Sequence, residues 1–172
     1  MNSYKIAAEL PHDYPEIYEL VRVAFETADH SDGDEHDYVN QLRESPDYIP
    51  QLALTAKAGD EIIGHIMLTR TLITRPQGIV DALLLSPICV SLAYRNKGVG
   101  LALIKASLEA AAEMGFAAVF LVGEPDYYSR AGFRPVAEFG ITDLGDIPAR
   151  YVQGIELTPG FLAGKGGTIQ IC

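Results

Sequence analysis

A chain of 172 residues is long enough for one domain with a substantial core and short for two. Its composition, 48% hydrophobic and 21% charged, is ordinary for a soluble globular protein, and no apolar run approaches the ~18 residues of a membrane helix. A formal net charge of −10 argues against nucleic-acid binding, which needs a basic surface; it is compatible with a cationic partner. Met1 to Ile6 contains no signal-peptide apolar region, and the two cysteines, Cys89 and Cys172, form neither a CxxC nor a zinc-ligand spacing. A single domain over residues 1–172, cytoplasmic, with no metal and no membrane contact, is expected.

In chain order, Lys5–Leu10 reads as a strand. Asp13 can cap a helix over Pro15–Phe25, with Ile17, Leu20, Val21 and Phe25 on one face. The acidic loop Thr27–Asp37 follows, then a second helix carrying Val39 and Leu42 that stops near Ser45-Pro46. Gln51–Lys57, Ile62–Ile73 and Asp81–Val90 read as strands joined by the turns Ala58–Glu61 and Arg75–Gly78, an antiparallel meander. A helix with Leu101, Ile104, Leu108 and Ala111 at helical spacing ends at Met114-Gly115. Ala117–Val122 is a short buried strand, Pro125 opens a brief helix that Gly132 closes, and Tyr151–Leu157 is a further strand. The glycine-rich end finishes in an edge strand at Thr168–Ile171.

The stretch carrying chemistry is Arg95-Asn96-Lys97-Gly98-Val99-Gly100, a basic, glycine-containing turn that runs from a strand into a helix N-terminus. The first N–H groups of a helix lack intrahelical acceptors, its dipole is positive at that end, and glycine lets backbone approach a ligand, so such a turn suits an anion. A P-loop needs Gly-Lys-Ser/Thr, and Leu101 follows Gly100. A dinucleotide fingerprint needs a third small residue where Leu103 stands, although Glu124 after the next strand imitates its ribose-binding acid. An ordinary strand-to-helix turn with a solvated Arg and Lys is the plain alternative.

Arg-x-x-Gly-x-Gly after a strand resembles the acyl-CoA signature of the GNAT superfamily of N-acetyltransferases. Tyr128-Ser-Arg-Ala-Gly132-Phe133 resembles that family's Y-x-x-x-G-F element, in the family's order and spacing, and its wording is similar to the YhbS-type acetyltransferases. The order β-α-α-β-β-β-α-β-α is similar to the family's too. The resemblance implies an α/β (α+β) fold with a mixed, largely antiparallel central sheet, splayed at the acyl-CoA site, and helices on both faces. It implies acetyl-CoA as co-substrate, with Arg95, Asn96, Lys97, Gly98, Val99 and Gly100 gripping the pyrophosphate and backbone from Ile88, Cys89 and Val90 meeting the pantetheine arm. It implies that acetyl passes to a primary amine of a small molecule or a protein.

Acetyl transfer from a thioester needs donors for the developing oxyanion, a deprotonated amine and a proton for the departing thiolate. The motif match makes Tyr128 the acid, with Tyr127 its confounder, and a free N–H near Ile88 or Val90 the oxyanion donor. Pro87 has no N–H and marks a bulge or unpaired position in its strand. Some relatives carry a strand glutamate as base, and that position falls on Leu84 here; Asp81, Glu35, His36, water or a neutral amine remain. Asp32, Asp34, Glu35 and Asp37 either line a site for a cationic acceptor or cap the second helix from Ser31 or Asp32. They do not form an EF-hand loop. Cys89 has no flanking histidine or acid to make it an acyl-carrying nucleophile. An acyl-CoA sensor without turnover is the alternative function, and a homodimer stays open.

Overall fold

The computed structural model describes residues 3–28 and 31–171; Met1, Asn2, Asp29, His30 and Cys172 lie outside the described residues. The chain groups into two compact units, residues 1–69 with 86–110, and residues 70–85 with 111–172. No helix among the described residues is long and apolar enough to cross a membrane.

The first unit holds β1 (Lys5–Ala8), α1 (Tyr14–Phe25), α2 (Glu35–Glu44), β2 (Tyr48–Ala58), the earlier part of β3 (Glu61–Arg75), the later part of β4 (Gly78–Val90) and most of α3 (Val99–Glu113). β1 pairs antiparallel with β2 from Lys5↔Lys57 to Ala8↔Leu54, and β2 pairs antiparallel with β3 through Thr55↔His65. The run Ile62–Leu68 is buried throughout, as expected of a strand covered on both faces. Gly64 looks toward Val99 and Leu103 of α3, whereas Met67 packs with Ile17 and Val21 of α1 and Val39 of α2. Three residues apart on a strand means opposite faces, so this unit carries helices on both sides.

Helix starts differ in detail from expectation. Asp13 sits at the cap position of α1, but its carboxylate accepts from the N–H of Leu10 at 2.9 Å and pairs with Lys57 Nζ at 2.7 Å. It closes the preceding 3-10 turn, Pro11–Asp13, rather than the helix. α2 is capped by the backbone of Asp34, whose carbonyl accepts from Tyr38 N–H at 2.9 Å. Ser31 and Glu35 serve the loop instead: Ser31 Oγ accepts from Gly33 N–H and Glu35 Oε1 from Asp32 N–H.

The second unit contains the β3–β4 hairpin end, β5 (Ala118–Val122), α4 (Pro125–Tyr128), β6 (Arg134–Pro135), β7 (Ile141–Asp143), β8 (Val152–Glu156) and β9 (Gly167–Ile169). β4 pairs parallel with β5 at Leu83↔Val119 and Leu84↔Phe120, and β5 continues to Val122 against antiparallel β8. The core gathers Ile73, Ala82, Phe120, Val136, Val152, Leu162 and Ile169. β9 is not an edge strand, because Thr168 pairs with Thr74 on one side and Thr142 on the other. β6 and β7 are too short, at two and three residues, for hydrophobic alternation to reveal them. β4 with β5 and β7 with β9 run parallel over short stretches, whereas β1–β2, β2–β3, β3–β9, β5–β8 and β6–β8 are antiparallel. The fold is therefore mixed and largely antiparallel, as expected.

Candidate functional site

The basic turn is shaped by backbone. β4 ends with Ser91 N–H donating to Ile63 C=O at 2.8 Å, a 3-10 turn covers Leu92–Tyr94, and α3 begins at Val99. In the intervening turn Asn96 (φ 60°) and Gly98 (φ 84°) are left-handed, a conformation that glycine and asparagine tolerate best. Gly98 C=O accepts from Ala102 N–H at 3.0 Å, which makes it the first carbonyl of the helix. The N–H groups of Val99, Gly100 and Leu101 then have no carbonyl inside the helix to reach. A Cβ built at Gly98 meets nothing within 4 Å, so the helix mouth is open on that side. Asn96, Lys97 and Gly98 are exposed, while Val99 and Gly100 are buried against the protein. Lys97 Nζ lies 5.4 Å from the centre of the Tyr94 ring.

Arg95 is exposed, yet its side chain is tied to neighbouring carbonyls. Its Nη2 donates to Ala24 C=O at 2.9 Å and its Nε to Val90 C=O at 3.4 Å. Ala24 lies in the last turn of α1, where a cation suits unsatisfied carbonyls. Arg95 thus fastens the turn to α1.

Ile88 and Val90 are half-buried, and Cys89 is buried with α1 and α2 residues around it. Burial pushes the Cys89 thiol up to about 12. That leaves it protonated and without nucleophilic character near neutrality. Pro87 lies inside β4, and its peptide bond with Ser86 is cis.

The proposed bases are scattered. Asp81 is exposed at the start of β4. The His36 ring stands edge-on to Tyr18, with Nε2 3.7 Å from Asp37. Glu35 is held below the usual carboxylate range: burial works to raise it, but hydrogen bonds from Ser31 and nearby backbone N–H groups outweigh that. Leu84, the strand position weighed for a base, is an apolar residue opposite Phe120.

In the second unit, Tyr128 closes α4, and a 3-10 turn over Ser129–Ala131 leads to Gly132 at φ 99°. Its ring packs against Gly123; a Cβ there would come within 2.3 Å of Tyr128 Cε2. Tyr127 and Phe133 present edges to it, with ring centres 5.0 and 6.1 Å away. Burial, with Tyr127 adding, pushes the Tyr128 phenol up to about 12, so it keeps its proton across the neutral range.

Sequence reasoning missed a buried polar cluster in the first unit. Arg43 Nε donates to Glu9 Oε2 at 2.8 Å, its Nη2 lies 2.7 Å from the same oxygen, and its Cζ sits 3.9 Å from the centre of the Tyr14 ring. His65 Nε2 lies 3.4 Å from Glu9 Oε1, and both side chains are fully buried. Burial works to raise the Glu9 carboxyl, but His65 and Arg43 together hold it below its ordinary range. Glu9, Arg43 and His65 are far apart in sequence, so no local pattern announces them.

An acetyltransferase (GNAT) domain model matches residues 7–136. The uncharacterized N-acetyltransferase YjhQ of Escherichia coli K12 is 37% identical over 106 residues, which span 60% of this chain and 57% of that one. The uncharacterized N-acetyltransferase YhbS of the same strain is 32% identical over 132 residues, 77% of this chain and 74% of YhbS. A crystal structure of Escherichia coli YhbS in complex with CoA aligns with a TM-score of 0.86 at 25% identity, covering 100% of this chain and 91% of that one. A GNAT acetyltransferase of Brucella melitensis in complex with acetyl-CoA shares the fold, with a TM-score of 0.80 at 24% identity, covering 100% of this chain and 97% of that one. Motifs, fold and matched span agree: the chain belongs to the GNAT acetyltransferase family.

Proposed function

We propose that the chain is an acetyl-CoA-dependent N-acetyltransferase that moves acetyl directly from the CoA thioester to a primary amine of a small molecule or protein. The observation that carries this reading is the open mouth of α3. Left-handed Asn96 and Gly98 present an exposed, basic turn to solvent at a helix N-terminus whose first N–H groups lack intrahelical acceptors. That arrangement fits a pyrophosphate, and YhbS, similar throughout this region, was crystallised with CoA.

The residues take the following parts. Arg95 to Gly100 bind the pyrophosphate, with Arg95 also holding the turn against α1. Backbone at Ile88 to Val90 binds the pantetheine arm and offers an N–H to the thioester oxygen as it becomes an oxyanion. The neutral amine nitrogen attacks the carbonyl carbon, the C–N bond forms, the C–S bond breaks, and the proton shed by the nitrogen passes to water, from which the Tyr128 phenolate is later reprotonated. Tyr128 gives its phenolic proton to the departing thiolate. The acceptor is chosen by charge: Asp32, Asp34 and Asp37 are acids available to a cationic amine. The whole of residues 1–172 acts as one acetyltransferase domain.

Calorimetric titration with acetyl-CoA, followed by free-thiol release across a panel of primary amines, tests this. Binding with amine-dependent thiol release is expected. Binding without release for any amine would leave an acyl-CoA-binding module, and absence of binding would overturn the assignment of the turn.

A further inference from the structure

Gln153, the second residue of β8, is fully buried, and its side chain makes a single hydrogen bond among the described residues: its Nε2 donates to Gly123 C=O at 2.8 Å. The amide orientation follows from its partner, because a carbonyl can only accept. Its Oε1 is buried with no partner among the described residues. An apolar side chain of similar size would fill this seat without stranding an oxygen. The energetic justification for an amide here is therefore the Nε2 bond to Gly123.

Gly123 is held from both sides. Its N–H donates to Tyr151 C=O at 2.9 Å while its own carbonyl takes the Gln153 amide. Tyr151 and Gln153 lie at the entrance of β8, which is itself paired with β5 and β6. This fixed peptide is the floor beneath the Tyr128 ring, close enough that even a methyl group at Gly123 would collide with it. α4 is only four residues long and cannot fix its last side chain by helix stiffness alone.

We infer that Gln153 is the positioning residue for Tyr128: it holds the Gly123 peptide as the platform on which the phenol is oriented. The inference deepens the proposed function and rests on its assignment of Tyr128 as the acid. Without the Nε2 bond the Gly123 carbonyl loses its side-chain partner, the bend between β5 and α4 relaxes toward water, and the ring loses its fixed seat.

The test uses the full chain with tyrosines labelled at the ring Cζ and the Tyr128 signal assigned by Tyr128→Phe. Gln153→Met keeps the volume and removes the donor. Its Tyr128 phenol should titrate measurably below the parent's, back toward the ordinary value of about 10. kcat with any amine found to turn over should fall about tenfold, while acetyl-CoA affinity stays within about twofold. If Gln153→Met does not fold, Gln153→Asn, one methylene too short to reach the carbonyl, repeats the reading. An unchanged Tyr128 titration and unchanged kcat in either folded variant would overturn the inference. A moved titration with Tyr128→Phe fully active would preserve the positioning and sink only the acid role.

Discussion

Gly64 of β3 makes room for Leu103 of α3: a Cβ at residue 64 would lie 2.8 Å from Leu103 Cδ1 and 3.3 Å from Val99 Cγ1. A large residue three positions after Gly100 does not hold the helix off the sheet, because the missing side chain is on the strand rather than on the helix. Leu103 and Val99 are both buried, so neither can swing away.

Gly64→Ala should therefore destabilise the protein. Overpacking costs about 1–3 kcal/mol, from which the reduced freedom of the unfolded chain returns about 0.4–1 kcal/mol. The urea midpoint should fall with an unchanged slope. Since the displaced helix is the one whose N-terminus is proposed to bind the pyrophosphate, acetyl-CoA affinity should fall with it. A Gly64→Ala protein with unaltered stability and affinity would mean that α3 shifts freely.

Gly98 tests the turn without a packing cost. It is exposed, left-handed and has open space around it. Gly98→Val forces a β-branched residue into that conformation at about 1–2 kcal/mol of local strain and raises a side chain at the helix mouth. Folding should survive, and calorimetry should show acetyl-CoA affinity reduced at least about tenfold, equivalent to ~1.4 kcal/mol. Lys97→Ala, which removes only an exposed charge, should do less, and its effect should shrink as salt is raised.

The Glu9–Arg43–His65 cluster predicts acid sensitivity. Arg43→Ala would remove the guanidinium from a buried carboxylate, leaving it only His65, and should cost up to about 3–5 kcal/mol. The folded protein holds Glu9 below its ordinary pKa of 4.5. The stabilisation is present above that value and drains away as pH falls through the lower folded one. Glu9→Gln, though less stable at neutral pH, should show a flatter stability profile below pH 4.5 in denaturant titrations. An acid limb identical to the parent's would place the sensitivity elsewhere.

The long elements are legible in the sequence because each has one dominant period. Ile17 and Val21 mark a helix face, and the unbroken run Ile62–Leu68 marks a strand buried on two sides. The two motif segments are legible for a different reason: glycines at 98 and 132 punctuate the chain where the backbone turns left-handed. What escapes is set by tertiary partners. The anchoring of Arg95 depends on Ala24 C=O of α1, and the buried seat of Gln153 on β8 lying between β5 and β6, neither of which a local pattern shows. The cap of α2 falls at Asp34 rather than at Ser31 or Asp32, because Ser31 and Glu35 can satisfy loop N–H groups as readily as helical ones.

The rate of acetyl transfer should rise with pH. Leu84 takes the strand position where an acid would sit, and Glu35, the loop acid nearest to a general base, is held below the usual carboxylate range. The amine itself must then supply its neutral form, and with a lysine-like acceptor log kcat/KM should climb toward a pKa of about 10.4. A plateau already reached at neutral pH would reveal a further base. Within the loop, Asp34 makes no side-chain capping bond, so Asp34→Asn should raise the KM of a cationic acceptor and leave acetyl-CoA affinity alone. Glu35→Gln weakens the bond to Asp32 N–H and should loosen the start of α2 instead.

Tyr128 and Tyr127 are neighbours in a four-residue helix, and only one can be the acid. Adjacent helical side chains project about 100° apart, and their rings meet at 89°, so they cannot serve the same spot. Tyr128 alone lies over Gly123 and against Phe133, the residues that bracket the second motif. A CoA thiolate, with the pKa of an ordinary thiol at about 8.5, leaves tolerably without help, so Tyr128→Phe should lower kcat by no more than the ~10²–10⁴-fold range of general acid catalysis. Acetyl-CoA affinity should hardly change, since the ring remains and only the hydroxyl is lost. With the phenol pushed up to about 12, its deprotonation should leave no falling limb in the rate near neutrality. Tyr127→Phe should be close to silent. If the two variants reverse, with Tyr127→Phe damaging and Tyr128→Phe neutral, the motif register is wrong by one residue and the acid is Tyr127.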